Sequence, residues 1–294
     1  MLCSICPRRC AAVREDGFGE GFCGMGRDPV LAKACVHRWE EPCISGTRGS
    51  GAIFFSGCAL CCVFCQNYSV SNGKFGRRVS VARLRGICEK LIEMGVHNID
   101  LVNPTHFSEA VYELLDKPLG VPVVYNSGGY DRVETLRALN GRIQIYLPDL
   151  KYADDTLAEK YSGAPDYFET ATRAIEEMYS QTGSYKIDKD GVLQGGTVIR
   201  HLILPGQLEN TRRVIDWVAR TFKPGEALFS LMSQYVPCGR AKSGEFPELA
   251  RTLGKREYEK IEEYLMFSDI EDGYFQEPSS ASESYIPDFD LENV

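Results

Sequence analysis

Gly51–Asn67 reads GAIFFSGCALCCVFCQN, and no other stretch restricts what this chain can fold into as tightly. Its apolar run Ala52–Phe55 ends at a Ser56-Gly57 turn, the pattern of a short buried strand that stops abruptly. Three thiols follow within eight residues, Cys58, Cys62 and Cys65, spaced C-x3-C-x2-C. Clustered cysteines in a chain without an export signal point to metal before disulfide. Three is the informative count, because cubane iron–sulfur clusters normally take four cysteines. A three-cysteine loop leaves one iron open to an outside ligand. A zinc knuckle would instead want a fourth ligand and paired C-x2-C spacing. Cys61 adjoins Cys62, so the loop also contains C-x2-C-x3-C, and spacing alone leaves both registers open. Phe64 sets a flat apolar surface beside the array.

At 294 residues the chain is long enough for one large domain or two, and 44% hydrophobic content supplies a sizeable core. With 33 basic against 41 acidic side chains the formal charge is −8, which argues against broad affinity for nucleic acid or an anionic membrane. No apolar run approaches the roughly 20 residues of a membrane-spanning helix. The opening MLCSICPRRC lacks the apolar core of a signal peptide, and twelve cysteines then suit a reducing cytoplasm with metal centres.

Residues 1–45 are expected to form a cysteine-rich module and connector. Cys3, Cys6, Cys10 and Cys23 look like a closed site for zinc or a second iron–sulfur cluster, with Gly17, Gly19, Gly21 and Gly24 providing turns. Gly19–Gly24 matches G-x-G-x-x-G by letter, but no strand precedes it, so the dinucleotide reading fails. In the connector Val36–Ser50, Trp39 reads as a packed aromatic and Glu40-Glu41 as a solvated acidic pair.

Beyond the cysteine loop, strands alternate with helices. Strands are predicted at 52–55, 98–102, 121–126, 143–147, 197–204 and 227–232. Helices are predicted at 81–94, 107–115, up to Leu139, 155 to about 179, 210–221 and 256–265. In the first of these helices Leu84, Ile87, Cys88 and Leu91 share one face. Six such repeats imply a parallel sheet, and an α/β fold of the partial (β/α)6 TIM-barrel type over 46–277 fits the count. Chemistry in such barrels sits past the C-terminal strand ends. The unusual polar residues gather there: Cys58–Cys65, then Asn103-Pro104-Thr105-His106, Asn126-Ser127, Asp149 and Lys151, and Gln234, with Arg200-His201 inside the fifth strand. The tail 278–294 offers Tyr285, Ile286 and Phe289 to dock on the barrel.

The C-x3-C-x2-C loop with an aromatic before its last cysteine resembles the radical S-adenosylmethionine (SAM) superfamily. Further phrases, CSICPRRC, HRWEEPCISGTRGSG, FCQN, NPTH, YNSGGYD, YLPDLKY, IRHLILPG and LMSQYVP, resemble the uncharacterised iron–sulfur proteins similar to pyruvate formate-lyase activating enzyme. The resemblance selects Cys58, Cys62 and Cys65 as ligands of a [4Fe–4S] cluster whose open iron chelates SAM, and it places Phe64 near the adenine. Asp149 and Lys151 match the activases' D-x-K at the SAM and cation site. Arg200 matches their strand-five arginine, with the rim histidines His106 and His201 as further catalytic candidates. A GGE-type SAM contact is replaced by Asn103-Pro104-Thr105-His106, with Asn103 or Thr105 as substitutes; Asn126, Ser127 and Gln234 complete the expected cofactor contacts.

The implied activity is reductive cleavage of SAM to a 5′-deoxyadenosyl radical, which takes hydrogen from a polypeptide, as in glycyl-radical activation, or from a small molecule. An electron donor such as flavodoxin or ferredoxin is the implied partner. The rival readings are an iron–sulfur electron-transfer protein and a zinc-stabilised binding module without SAM chemistry.

Overall fold

A computed structural model of the chain describes residues 3–15, 19–276 and 288–294. Its strands are β1 (Val30–His37), β2 (Ser50–Phe55), β3 (Arg77–Arg78), β4 (Ile99–Val102), β5 (Val123–Ser127), β6 (Ile145–Pro148), β7 (Lys186–Ile187), β8 (Leu193–Leu202), β9 (Leu228–Met232) and β10 (Gly273–Phe275). One sheet carries them in the order β10-β9-β8-β6-β5-β4-β2-β1-β3, with β7 paired to β8. The six strands expected from sequence, β2, β4, β5, β6, β8 and β9, are its parallel core. β10 adds one more parallel strand beyond β9, while β1 and β3 pair antiparallel at the opposite edge. The sheet does not close on itself, so this is a partial barrel.

Why these segments are strands follows from burial on both faces. All six residues of β2 are buried, as parallel strands covered by helices require. The helix Val81–Glu93 buries Leu84, Ile87, Cys88 and Leu91, the expected face, and Ser80 caps its N-terminus by accepting from the Arg83 amide. Burying each such aliphatic side chain contributes about 1.5–3 kcal/mol. The expected helix from 155 to 179 is two helices, Asp155–Ser162 and Tyr167–Thr182, separated where Gly163 takes the left-handed conformation.

Three expectations need correction. First, Val30–His37, for which the sequence pattern offers no strand, is a full strand on β2, so the sheet begins before residue 45. Lys33 hid this strand: it is buried to 8% exposure and neutralised by Asp290 at 3.1 Å and Glu292 at 3.0 Å from the tail. Second, Trp39 is 66% exposed rather than buried. Third, Glu40 and Glu41 are not a solvated pair: Glu41 is buried, and Glu40 turns inward to Arg200.

The described part of the tail, residues 288–294, lies against β1 and β2. The Leu291 amide donates to the Ala32 carbonyl at 3.1 Å, and Phe289 meets Phe54 edge-on at 5.4 Å. Tyr285, Ile286 and Gly17 lie outside the described residues.

Candidate active site

A cleft of about 670 Å³ opens at the C-terminal ends of the parallel strands. Cys58, Cys62, Cys65 and Phe64 line one wall, Asn103, Asn126 and Ser127 the next, and Asp149, Lys151, Arg200, Met232 and Gln234 the other; Trp39 and Glu40 complete the perimeter. Residues of unrelated sequence position therefore arrive at one place because the parallel strands end there.

The cysteine loop is fixed from three sides. Gly57, with φ of +78°, turns the chain out of β2; a Cβ there would sit 2.7 Å from the Cys23 carbonyl oxygen. The Val63 amide donates to the Tyr161 carbonyl at 2.9 Å, and the Ala241 amide donates to the Val63 carbonyl at 3.1 Å. Arg8 ties the N-terminal segment on, donating to the Ala59 carbonyl at 2.7 Å and the Ser162 carbonyl at 2.6 Å while its guanidinium stacks over Phe22. Phe64 is held edge-on by Tyr152, Tyr161 and Tyr235, its ring centroid 6.5, 6.3 and 6.1 Å from theirs.

The two cysteine registers now separate. Cys62 lines the cleft, its sulfur accepting from the Ser162 hydroxyl at 3.0 Å. Cys61 has φ of +49° and points elsewhere, donating to the Cys58 carbonyl at 3.2 Å. Burial raises the Cys58 and Cys65 thiols, and the neighbouring Cys62 raises them further, with Cys65 pushed up to about 12. A cationic group that accepts the three thiolates removes both penalties. Among the described residues no three His, Cys, Asp or Glu side chains converge on a single-ion site. Three thiols spread along one cleft wall suit a cluster in which each iron takes one thiolate, and the donor set fits a [4Fe–4S] group.

The same cleft holds a charged network. Arg200 donates from Nε to Asp149 Oδ1 at 2.9 Å, from Nη1 to Glu40 Oε1 at 2.6 Å, and from Nη2 to Asn126 Oδ1 at 2.7 Å. Lys151 Nζ donates to the other Asp149 oxygen at 2.5 Å. Burial pushes the Asp149 carboxyl upward, but the two cations outweigh it and hold it below the ordinary carboxylate value. Lys151 and Arg200 are correspondingly raised by Asp149 against the desolvation that opposes them. Both members of each pair favour the charged state.

The floor is shaped by a glycine turn. Gly129, with φ of +75°, brings its backbone so close that a Cβ would lie 2.2 Å from the Asp149 carbonyl oxygen. The Tyr167 hydroxyl spans the same gap, 2.8 Å from the carbonyls of Gly128 and Asp149 and accepting from the Lys151 amide at 2.9 Å. Asn103, at φ of +62°, donates to the Gly57 carbonyl at 2.6 Å and so links the ends of β4 and β2.

Three expected site residues are not brought into the cleft. His106 is 2% exposed and hydrogen-bonds the Ser56 carbonyl at 2.7 Å. His201 is fully buried between the Leu150 carbonyl at 2.6 Å and the Thr211 hydroxyl at 3.0 Å. Burial pushes both imidazoles down to about 4, so they are neutral packing groups. Thr105 is buried beside Tyr125 and Asp131. A rim position past a strand end does not by itself aim a side chain inward; the chain here turns through a 3-10 segment at Thr105–Phe107. Ser127 lines the cleft but commits its hydroxyl to Asp131 at 2.6 Å.

Sequence reasoning missed Glu40, Glu41 and Asp100. The available signal was Asp100 itself, an acid inside a strand that is otherwise wholly apolar.

Of the N-terminal cysteines, Cys6 and Cys23 are buried, Cys3 is half-buried and Cys10 exposed. They influence one another electrostatically, and a Cβ on Gly21 would lie 2.9 Å from the Cys10 sulfur.

An open parallel sheet with a cleft past its C-terminal strand ends is a partial barrel, a fold shared with solved radical SAM structures. Among solved structures, methylornithine synthase (PylB) aligns with a TM-score of 0.50 and 17% identity, over 74% of this chain and 62% of that one. SuiB of Streptococcus suis, bound to S-adenosylmethionine, aligns with a TM-score of 0.48 and 12% identity, over 78% of this chain and 46% of SuiB. The chain thus spans about half the length of SuiB. An uncharacterised protein of Methanocaldococcus jannaschii is 28% identical over 277 residues, 91% of this chain and 74% of that protein. No protein-family model matches the chain. Among the described residues no helix is long and apolar enough to cross a membrane.

Proposed function

We propose that this chain is a radical SAM enzyme whose cluster is held by Cys58, Cys62 and Cys65. The observation that supports this most strongly is that these three thiols and the Asp149–Lys151–Arg200 network line one cleft at the strand ends. When bound, a [4Fe–4S] cluster with SAM on its open iron supplies one-electron cleavage to a 5′-deoxyadenosyl radical. The chain's own residues orient the reactants and exclude water. Phe64, backed by three tyrosines, is an apolar wall for the adenine. Asp149, charged at neutral pH, accepts from SAM's hydroxyl or ammonium groups, and Asn126 and Gln234 add polar contacts.

A cleft of about 670 Å³ is within the size that encloses one cofactor-sized molecule, so a second reactant enters from the open side past Trp39. A flexible polypeptide segment meets that geometry, in keeping with an activase-like role, and a flavodoxin or ferredoxin supplies the electron. Since no three of Cys3, Cys6, Cys10 and Cys23 converge on a single ion, a second iron–sulfur cluster rather than zinc is the centre these four would hold beside the cluster loop. Replacing Cys6 and Cys23 by serine is expected to lower the metal content per chain; unchanged content rules this centre out.

The enzyme reading is tested by electron paramagnetic resonance of the reduced cluster. Adding SAM is expected to change the spectrum of the wild type, and less so that of Asp149→Asn. A cluster signal that ignores SAM supports the electron-transfer alternative.

A further inference from the structure

The charged network has a second layer that the proposed SAM chemistry does not use. Asp100 on β4 is fully buried, one strand behind the cleft, and Glu40 faces the cleft with 13% of its side chain exposed. Both converge on one donor: Asn126 Nδ2 on β5 lies 3.1 Å from Glu40 Oε2 and 3.3 Å from Asp100 Oδ2. Each amide hydrogen of Asn126 can serve one oxygen, so Asp100 and Glu40 are neighbouring carboxyl groups, and like charges in a buried setting disfavour ionisation of one of them.

The surroundings supply too few cations for all the acids. The groups facing this pair are Glu41 beside Glu40, Asn126 on β5, Asp149 and Lys151 past β6, Arg200 on β8, and Ser230 on β9 next to Glu41. Lys151 and Arg200 are already committed to Asp149 and Glu40. Asp100 Oδ1 and Glu41 Oε2 are buried and find no hydrogen-bond partner among the described residues. An ionised carboxylate with a bare oxygen in such a place is strongly disfavoured; a neutral acid is not.

We propose that Asp100 is a protonated carboxylic acid donating to the Glu40 carboxylate, and that the pair stores one proton that Glu40 delivers to the cleft. The inference rests on the cleft being the reaction site. In the transfer, the Asp100 proton passes to Glu40 Oε2, and Glu40 delivers a proton to a substrate atom in the cleft. Asp100 is left as the carboxylate and regains a proton from solvent by the reverse path after product leaves. Burial, then the Glu40 charge, push the Asp100 carboxyl well above its ordinary value. The Glu41 carboxyl is raised to about 7, chiefly by burial, against the opposing charge of Arg200 and with a smaller push from Glu40.

Infrared spectroscopy of the anaerobically reconstituted protein tests this without reference to SAM. Above the pH where Glu41 ionises, the wild type is expected to keep one protonated-carboxyl C=O band, absent in Asp100→Asn and present in Glu41→Gln. In Glu40→Gln the band's titration midpoint is expected to fall by at least about one pH unit, the least coupling that makes two sites a pair. On transfer to deuterated buffer the band is expected to shift more slowly in Glu40→Gln than in the wild type. No such band in the wild type, its survival in Asp100→Asn, or deuteration indifferent to Glu40 overturns the proposal. None of these outcomes depends on radical chemistry.

Discussion

Arg200→Met isolates what the charged network contributes. The arginine is buried, 12% exposed at its side chain, and neutralises two carboxylates while filling the acceptor of Asn126. The methionine keeps the volume and removes the charge. Asp149 retains Lys151 at 2.5 Å, but Glu40 loses the cation it is paired with. Breaking a buried ion pair by removing one partner costs about 3–5 kcal/mol. For a chain of this size each kcal/mol lowers the melting temperature by about 2–4 °C, so a fall of about 10 °C is expected.

The pH dependence carries a sign that pure loss of packing would not. In the wild type Asp149 sits below its ordinary value, so its stabilisation is complete above the ordinary carboxylate range and is lost as pH falls through the depressed value. Without Arg200 the opposing burial effect dominates and Asp149 rises. The deficit of the variant is then full at neutral pH and shrinks as pH falls toward about 4. Thermal unfolding of the two reconstituted proteins, followed by circular dichroism across that range, is the assay. A deficit below about 1 kcal/mol at neutral pH, the size of a surface pair, refutes the account. So does a deficit that grows on acidification.

Further expectations follow from the same geometry. Cys61→Ala is expected to keep the wild-type iron content and Cys62→Ala to lose it, measured by iron and sulfide analysis after reconstitution; the reverse pattern would transfer the ligand role to Cys61. Gly129→Ala, which must displace the Asp149 carbonyl, is expected to lose well over 1 kcal/mol in denaturant unfolding and to weaken SAM binding measured by calorimetry. His201, neutral in the fold with its value depressed to about 4, draws stability down as pH falls from about 6.5 because the unfolded chain binds the proton first. His201→Gln is therefore expected to flatten the stability profile between those values by up to about 3 kcal/mol, and an unchanged slope would mean that the imidazole titrates freely.

How far the sequence disclosed this arrangement depended on whether a residue's letter matched its surroundings. The parallel strands were legible because both faces are covered, so Ile53, Leu101 and Ile145 stand in short apolar runs. The helix at Val81 was legible for its 3.6-residue period. The strand Val30–His37 was not, because its lysine is neutralised by Asp290 and Glu292, more than 250 residues away, which no local pattern contains. At the site, Cys58, Cys62 and Cys65 were legible because metal ligation by one loop is a local matter of spacing. The Glu40–Asp100–Asn126 contact was not, since it joins a connector and two strands and exists only once the sheet has formed. His106 and His201 were misplaced for the converse reason: a strand end fixes where a backbone emerges, while the carbonyls of Ser56 and Leu150 decide where the rings point.

The most direct test of the central claim is 5′-deoxyadenosine formation by the anaerobically reconstituted, reduced protein supplied with SAM, beside a Cys58/Cys62/Cys65→Ala control. The account predicts product from the wild type and none from the control. Equal yield from both, or none from a wild type that holds its full iron content and is given its electron donor and substrate, would contradict it.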